Sequence, residues 1–179
     1  DRVMADLHGP QTLLAQGLLP ASLVLDHPQY LRPMHGAVPA GGVHLHVAAF
    51  DLTRGADGRW SLLGQRLQAP SGLGYLLENR LIIGQQFPEA FRALRVQRIA
   101  AAFQGWLQGL MRLSPAGERS RIVLLTPGPY SETYFEQVFL ARYLGLTLVE
   151  GGDLTVRHEQ LFLKTLHGLE PVHGLLKRL

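Results

Sequence analysis

Two stretches carry residue types that can hold an anion: Gln68-Ala-Pro-Ser-Gly-Leu-Gly-Tyr-Leu-Leu-Glu-Asn-Arg80 and Leu124-Leu-Thr-Pro-Gly-Pro-Tyr-Ser-Glu-Thr-Tyr-Phe-Glu136. Each reads as a glycine-bearing loop feeding a helix. Backbone N–H groups at a helix N-terminus lack intrahelical partners and lie at the positive end of the macrodipole, so phosphate or carboxylate is favoured there. Gly74 and Gly128 are the loop positions expected to meet such an anion. Ser71, between proline and glycine, presents a hydroxyl, but Ala69 occupies the first position of a Gly-x-Ser-x-Gly elbow. A ligand-binding serine therefore suits this loop better than a nucleophile. The acids of Glu150-Gly-Gly-Asp153 follow a strand whose end lies on the same edge as the second loop, unless the segment is simply a glycine-dependent turn. A three-part site is conceivable: Ser71 with Gly72, Tyr130 with Ser131, and Glu150 with Asp153.

Other candidates have plain structural readings. His44 and His46, with Asp51 behind them, have the spacing of a two-histidine edge on one strand, yet no third metal ligand is identifiable, and polar-face histidines are the favoured reading. No metal residue is assigned. Glu78, Asn79 and Arg80 form a polar cluster in an apolar helix, which fits either a site or a structural Arg–Glu pair.

These groups need elements to position them. Residues 1 to about 35 read as short helices punctuated by Gly9-Pro10, Gly17 and Pro20, with Val3, Leu7, Leu13, Leu14 and Leu18 forming a packing layer. From Val43 the period becomes two: Val43, Leu45 and Val47 alternate with His44, His46 and Ala48, and the Ala56–Arg59 turn leads to Trp60-Ser-Leu-Leu63. That pattern predicts a hairpin over 43–67, entering the Pro70–Gly74 loop, with a helix from near Tyr75. Ile99, Phe103, Trp106, Leu107, Leu110 and Met111 give an amphipathic helix over 97–113 whose aromatic stripe belongs to a core. Ser114–Arg121 is the expected lobe boundary, which divides the chain into 1–118 and 119–179.

After it comes a compact α/β pattern: strand Ile122–Leu125, a loop to Ser131, a helix to Leu144 capped by Gly145, and strand Leu146–Val149. Thr133 and Glu136 have capping-box spacing. A strand, crossover helix and strand this tight should be parallel, with ligand contacts at the strand C-terminal ends. Leu154–Arg157 and Leu161–Lys164 read as a second hairpin, followed by a strand near Val172.

Composition narrows the function. Net charge is +3 over 179 residues; lysine occurs only at Lys164 and Lys177, and the arginines are scattered without interleaved aromatics. Nucleic-acid binding is thus disfavoured. With no cysteine there is no disulfide, thiolate nucleophile or zinc-thiolate site. No run of about 18 apolar residues and no signal-peptide pattern is present, so no membrane partner and a soluble cytoplasmic protein are expected. Neither end resembles a natural terminus, and the chain reads as a fragment of a longer polypeptide continuing beyond Leu179.

In combination, Ala69-Pro-Ser-Gly72, Leu77-Glu-Asn-Arg80, Leu125-Thr-Pro-Gly-Pro-Tyr130, Tyr134-Phe-Glu136, Leu140-Ala-Arg142, Val149-Glu-Gly-Gly-Asp-Leu154 and Lys177-Arg178 resemble bacterial circularly permuted ATP-grasp proteins. These are related to glutathionylspermidine synthase and, more distantly, to glutathione synthetase. The resemblance covers nearly the whole chain. It implies an α/β fold in which a helical and β-hairpin part of an ATP-grasp lobe precedes a Rossmann-like substrate lobe. It also implies an ATP-dependent carboxylate–amine ligase: ATP phosphorylates a carboxylate, an amine attacks the acyl phosphate, and Mg2+ neutralises the phosphates. Substrates would be small peptide-like carboxylates and amines.

On that analogy Ser71 and Gly72 line the acceptor peptide site, with Asn79 and Arg80 nearby on the substrate side. Tyr130 and Ser131 belong to the substrate loop, Ser131 falling where relatives carry asparagine and Gln137 where they carry histidine or glutamine. Arg178 falls where an arginine forks onto a substrate carboxylate. Many relatives read Glu-Asp-Asn just before the Pro-Ser-Gly segment as magnesium ligands, whereas this chain reads Gly64-Gln65-Arg66. The family's ATP-grasping residues also lie downstream of Leu179. No catalytic residue is therefore assigned, the isolated chain is expected to be inactive without bound ATP or Mg2+, and a catalytically degenerate interaction or scaffold module is the alternative.

Overall fold

The computed structural model describes residues 1–177. The chain divides into two compact units, Asp1–Gln68 and Ala69–Leu179. The division falls well ahead of the lobe boundary expected at 118/119.

In the first unit, α1 (Arg2–His8), α2 (Thr12–Ala15) and α3 (Ala21–Leu25) are short, and Val24 alone among them is buried. The expected packing layer forms only in part: Leu7, Leu13 and Leu14 are half-buried, while Val3 and Leu18 stay more than half exposed. The α1–α2 corner is held by polar groups instead. The carboxylate of Asp6 accepts the N–H of Thr12 (2.9 Å), the N–H of Leu13 (3.0 Å) and the Thr12 hydroxyl. These are donors that the first turn of a helix leaves unsatisfied. The Thr12 hydroxyl first, and then the Leu13 amide, hold the Asp6 carboxyl below its usual range.

The hairpin exists, but it is shifted: β1 (Ala49–Arg54) pairs antiparallel with β2 (Trp60–Arg66). The alternation from Val43 to Ala48 was expected as strand and is not. The amides of His44 and Leu45 that a ladder would use instead donate to the Asp1 carboxylate, at 3.1 and 2.8 Å.

The second unit contains α4 (Leu73–Gln86), α5 (Pro88–Ala93), α6 (Ala100–Arg112), β3 (Ile122–Leu125), α7 (Tyr134–Leu144) and β4 (Thr147–Val149), followed by β5 (Leu154–Arg157), β6 (Gln160–Thr165), β7 (Gly168–Pro171) and β8 (Gly174–Lys177). β3 lies between β4 and β8, parallel to both. The expected hairpin of β5 and β6 gains β7 as a third antiparallel strand. The strand expected near Val172 begins at Gly174.

Side chains alternate faces along β3. Leu124 packs with Leu77, Phe103, Leu140 and Leu144 of the helices, while Val123 packs with Val149 and Leu163. A strand covered on both faces reads as the continuous apolar run Ile122-Val-Leu-Leu125. α6 fits its sequence reading: Phe103 is buried, and Trp106 and Leu107 lie against the same core.

Candidate functional site

The first glycine loop ends at Gly72, which caps α4 with φ of 109°, a conformation that suits glycine. Its N–H faces both carboxylate oxygens of Glu136 at 2.8 Å, and the Gly74 N–H reaches one of them at 3.4 Å. Glu136 is fully buried. The anion at this helix N-terminus is therefore a carboxylate of the protein, so an external anion at Gly74 is not what the geometry provides. A Cβ on Gly74 would lie 2.6 Å from the Glu136 carbonyl oxygen, which makes glycine the residue that lets α4 and α7 meet here.

That contact also overturns the capping box. Thr133 is the N-cap of α7, but no side-chain cap bond forms, because Glu136 turns toward α4 rather than back to Thr133. Capping-box spacing describes only local reach; burial against a second helix supplied the stronger partners.

Gln137, the next residue, braces the second loop. Its side-chain carbonyl accepts the Thr126 hydroxyl, whose oxygen in turn accepts the Gly128 N–H at 3.1 Å. Its amide donates to the Thr133 hydroxyl (2.9 Å), which lies 3.1 Å from the Ser131 hydroxyl. Thr126 and Gln137 are both buried. One helical turn thus fixes both glycine loops, Glu136 holding the α4 loop and Gln137 the β3–α7 loop. Sequence reasoning missed Glu136 and Thr126. The available signal was a glutamate and a threonine within otherwise apolar runs, which must find partners when buried.

The second loop lies at the C-terminal end of β3, and Glu150 follows the end of the neighbouring β4. A Cβ on Gly128 would come within 3.4 Å of a Glu150 carboxylate oxygen, so this loop and Glu150 lie side by side. Both acids already have backbone partners. The Glu150 N–H donates to Asp153 at 2.8 Å, and the Glu150 side chain accepts the Asp153 N–H in a reciprocal cap of the 3-10 turn. Tyr130 is fully exposed, and Ser131 is half-buried.

Ser71 is exposed beside Gly72. Asn79 and Arg80 are not part of that neighbourhood. Eight residues along α4, at about 1.5 Å per residue, set Arg80 roughly 12 Å from Gly72. Arg80 lies over the Phe91 ring at 5.8 Å and donates to the Gln97 carbonyl at 3.4 Å; among the described residues it makes no ion pair with Glu78. Arg178 lies outside the described residues.

His44 and His46 precede β1 and so do not share a strand face; the His44 ring is 6.1 Å from that of His8. Among the described residues no group of three His, Asp or Glu side chains is placed to hold a metal ion. Asp51 pairs with Arg66 at 2.9 Å, so a guanidinium sits on the nearest hairpin carboxylate. Magnesium, which takes oxygen ligands in near-octahedral array, does not fit the residues described here.

A parallel β–α–β unit with one glycine loop at its C-terminal edge, and a helical turn that secures both glycine loops, gives the second unit an α/β fold. The chain belongs to the circularly permuted ATP-grasp type 2 family, which it matches over residues 1–179. It is 36% identical over 177 residues to an uncharacterised protein of Synechocystis sp., covering 98% of this chain and 37% of that protein. Two uncharacterised proteins of Mycobacterium bovis are similar to it at 36% over 175 residues (97% of this chain, 32% of the relative) and 35% over 179 residues (99% and 20%). The chain therefore spans well under half the length of these relatives. No helix among the described residues is long and apolar enough to cross a membrane.

Proposed function

We propose that this chain is the substrate-side part of an ATP-dependent carboxylate–amine ligase, with the β3–α7–β4 unit forming part of a Rossmann-like substrate lobe. The observation that carries the reading is the bracketing of both glycine loops by the adjacent Glu136 and Gln137. Ligation needs two reactants held in fixed geometry, and loops tied to one rigid helical turn meet that need. Ser71, Tyr130 and Ser131 offer hydroxyls to a peptide-like substrate from these loops. Gln137 acts as a positioning residue behind them, since its amide is committed within the protein. Arg178 is assigned to a substrate carboxylate on family resemblance alone. ATP-grasp proteins generally use ATP and Mg2+; in this reading those groups are held by polypeptide outside residues 1–179.

One observation favours a second reading. The Arg66–Asp51 pair stands where relatives carry metal ligands, as expected of a homologue that kept the fold as a non-enzymatic interaction module. Calorimetric titration of Mg-ATP into this chain and into the protein at its natural length separates the two. Magnesium-dependent binding by the longer form, with ADP release stoichiometric with amide product from a pool of amino acids and small peptides, supports the ligase. Absence of binding by both forms supports the module. Amide formation by residues 1–179 alone would overturn the assignment of the nucleotide site to other segments.

A further inference from the structure

A cleft of about 770 Å³ opens between α4, α5 and the start of α6, away from the glycine loops. That volume is in the range of small-molecule sites. Leu77, Phe91, Val96 and Tyr143 give it an apolar and aromatic lining, while Arg80, Arg92, Arg95 and Arg98 supply four guanidinium groups; no Asp or Glu lines it. None of the four arginines belongs to an ion pair among the described residues. Arg80 and Arg92 each make one long bond to a backbone carbonyl, at 3.4 Å to Gln97 and Pro88, and most of each fork stays available. Arg80 also lies over the Phe91 ring, which leans on α4 where Gly84 has no side chain.

A second observation concerns the backbone. Arg95 ends α5 with φ of +50°, the left-handed position at which helices ordinarily place glycine or asparagine. The turn is closed by the Val96 N–H on the Phe91 carbonyl at 2.9 Å. Glycine would serve this backbone with less strain, and the side chain that stands there instead is a guanidinium lining the cleft.

We propose that this cleft binds a small organic anion with a flat apolar body, its carboxylate or phosphate meeting the guanidinium forks and its body lying on Phe91 and Tyr143. The physical basis is the match of planar donors to planar anionic groups, together with ring stacking in a concave site. The inference does not depend on the ligase reading, because none of its residues is a loop residue invoked there.

The probes are the fluorescent anion 8-anilinonaphthalene-1-sulfonate and its neutral analogue N-phenyl-1-naphthylamine, titrated into the protein at low and high salt. The anion is expected to bind one-to-one, to weaken with salt, and to bind far better than the neutral analogue. Arg95→Gly removes a guanidinium while relaxing the backbone, so it is expected to melt at the same or a higher temperature and to bind the anion about tenfold more weakly. Leu62→Ser, on the hairpin, is expected to leave binding unchanged. The proposal is overturned by equal affinity for the two probes, by an Arg95→Gly affinity within twofold of the parent, or by loss of binding in Leu62→Ser, which would place the dye on generic apolar surface.

Discussion

Residues 1–68 and the unit that follows are built on different principles. Val24 is the one buried hydrophobic side chain of the first unit, whereas Leu77, Phe103, Leu124, Leu140 and Val149, among others, form the core of the second. The first unit is short of layers: its helices run seven, four and five residues, and its sheet has two strands. A lone two-stranded hairpin buries too little to be stable by itself. Phe50, Leu52, Trp60 and Leu62 of the hairpin are accordingly more than half exposed. Beyond the hairpin ladder, the unit is tied by polar contacts, among them those of Asp1 and Asp6 and of Tyr30 with Leu7 and Gln11. In the second unit a parallel strand covered on both faces supplies burial, and buried polar groups are then free to fix loops.

If that contrast is right, the largest loss should come from Leu124→Ala. This fully buried side chain is expected to cost about 2–5 kcal/mol in denaturant unfolding. A cost under 1 kcal/mol would mean that the second unit is not held by this core.

Next should come Glu136→Ala, which strips the amides of Gly72 and Gly74 of their buried acceptor and is expected to cost roughly 2–4 kcal/mol. Faster amide exchange at Gly72 and Gly74 should accompany it, and unchanged exchange there would sink the bracket. Gly74→Ala forces a methyl against the Glu136 backbone and should cost about 1–3 kcal/mol.

Leu62→Ala marks the other side of the comparison. Opposite Leu52 on an exposed hairpin face, it is expected to cost at most about 1 kcal/mol. A loss as large as that of Leu124→Ala would erase the contrast between the units.

The smallest effect is the pH response of the α1–α2 corner. The folded Asp6 carboxyl lies below its ordinary value of 3.8, so its stabilisation is present above that value and fades as pH falls through the lower folded one. The Thr12 and Leu13 amide resonances should titrate together with a midpoint below 3.8. A midpoint at or above 3.8 would show that the cap is not formed.

Much of the fold was legible in the chain. The run Ile122–Leu125, the αL glycine at 145 (φ 70°) and the apolar spacing of α6 each have a local cause, and each stands where the sequence put it. Gly128 and Glu150 lie side by side because each follows the end of one of two neighbouring parallel strands, which the strand pattern implies. Local pattern failed where one amide had two suitors. Alternation argued for strand at Val43–Ala48, but the Asp1 carboxylate, more than forty residues away in sequence, took those amides.

By itself, then, the sequence determined the β3–α7–β4 unit, α6 and the β5–β6 pairing through short-range periodicity and turn chemistry, and the family through its combined motifs. Only the tertiary structure decided that the anion at the α4 N-terminus is Glu136, that Gln137 braces the β3–α7 loop, and that four arginines spaced along residues 80–98 share one cleft. The first two are set by which buried donor finds which acceptor, and the third by how α4, α5 and α6 pack, and no local pattern records either.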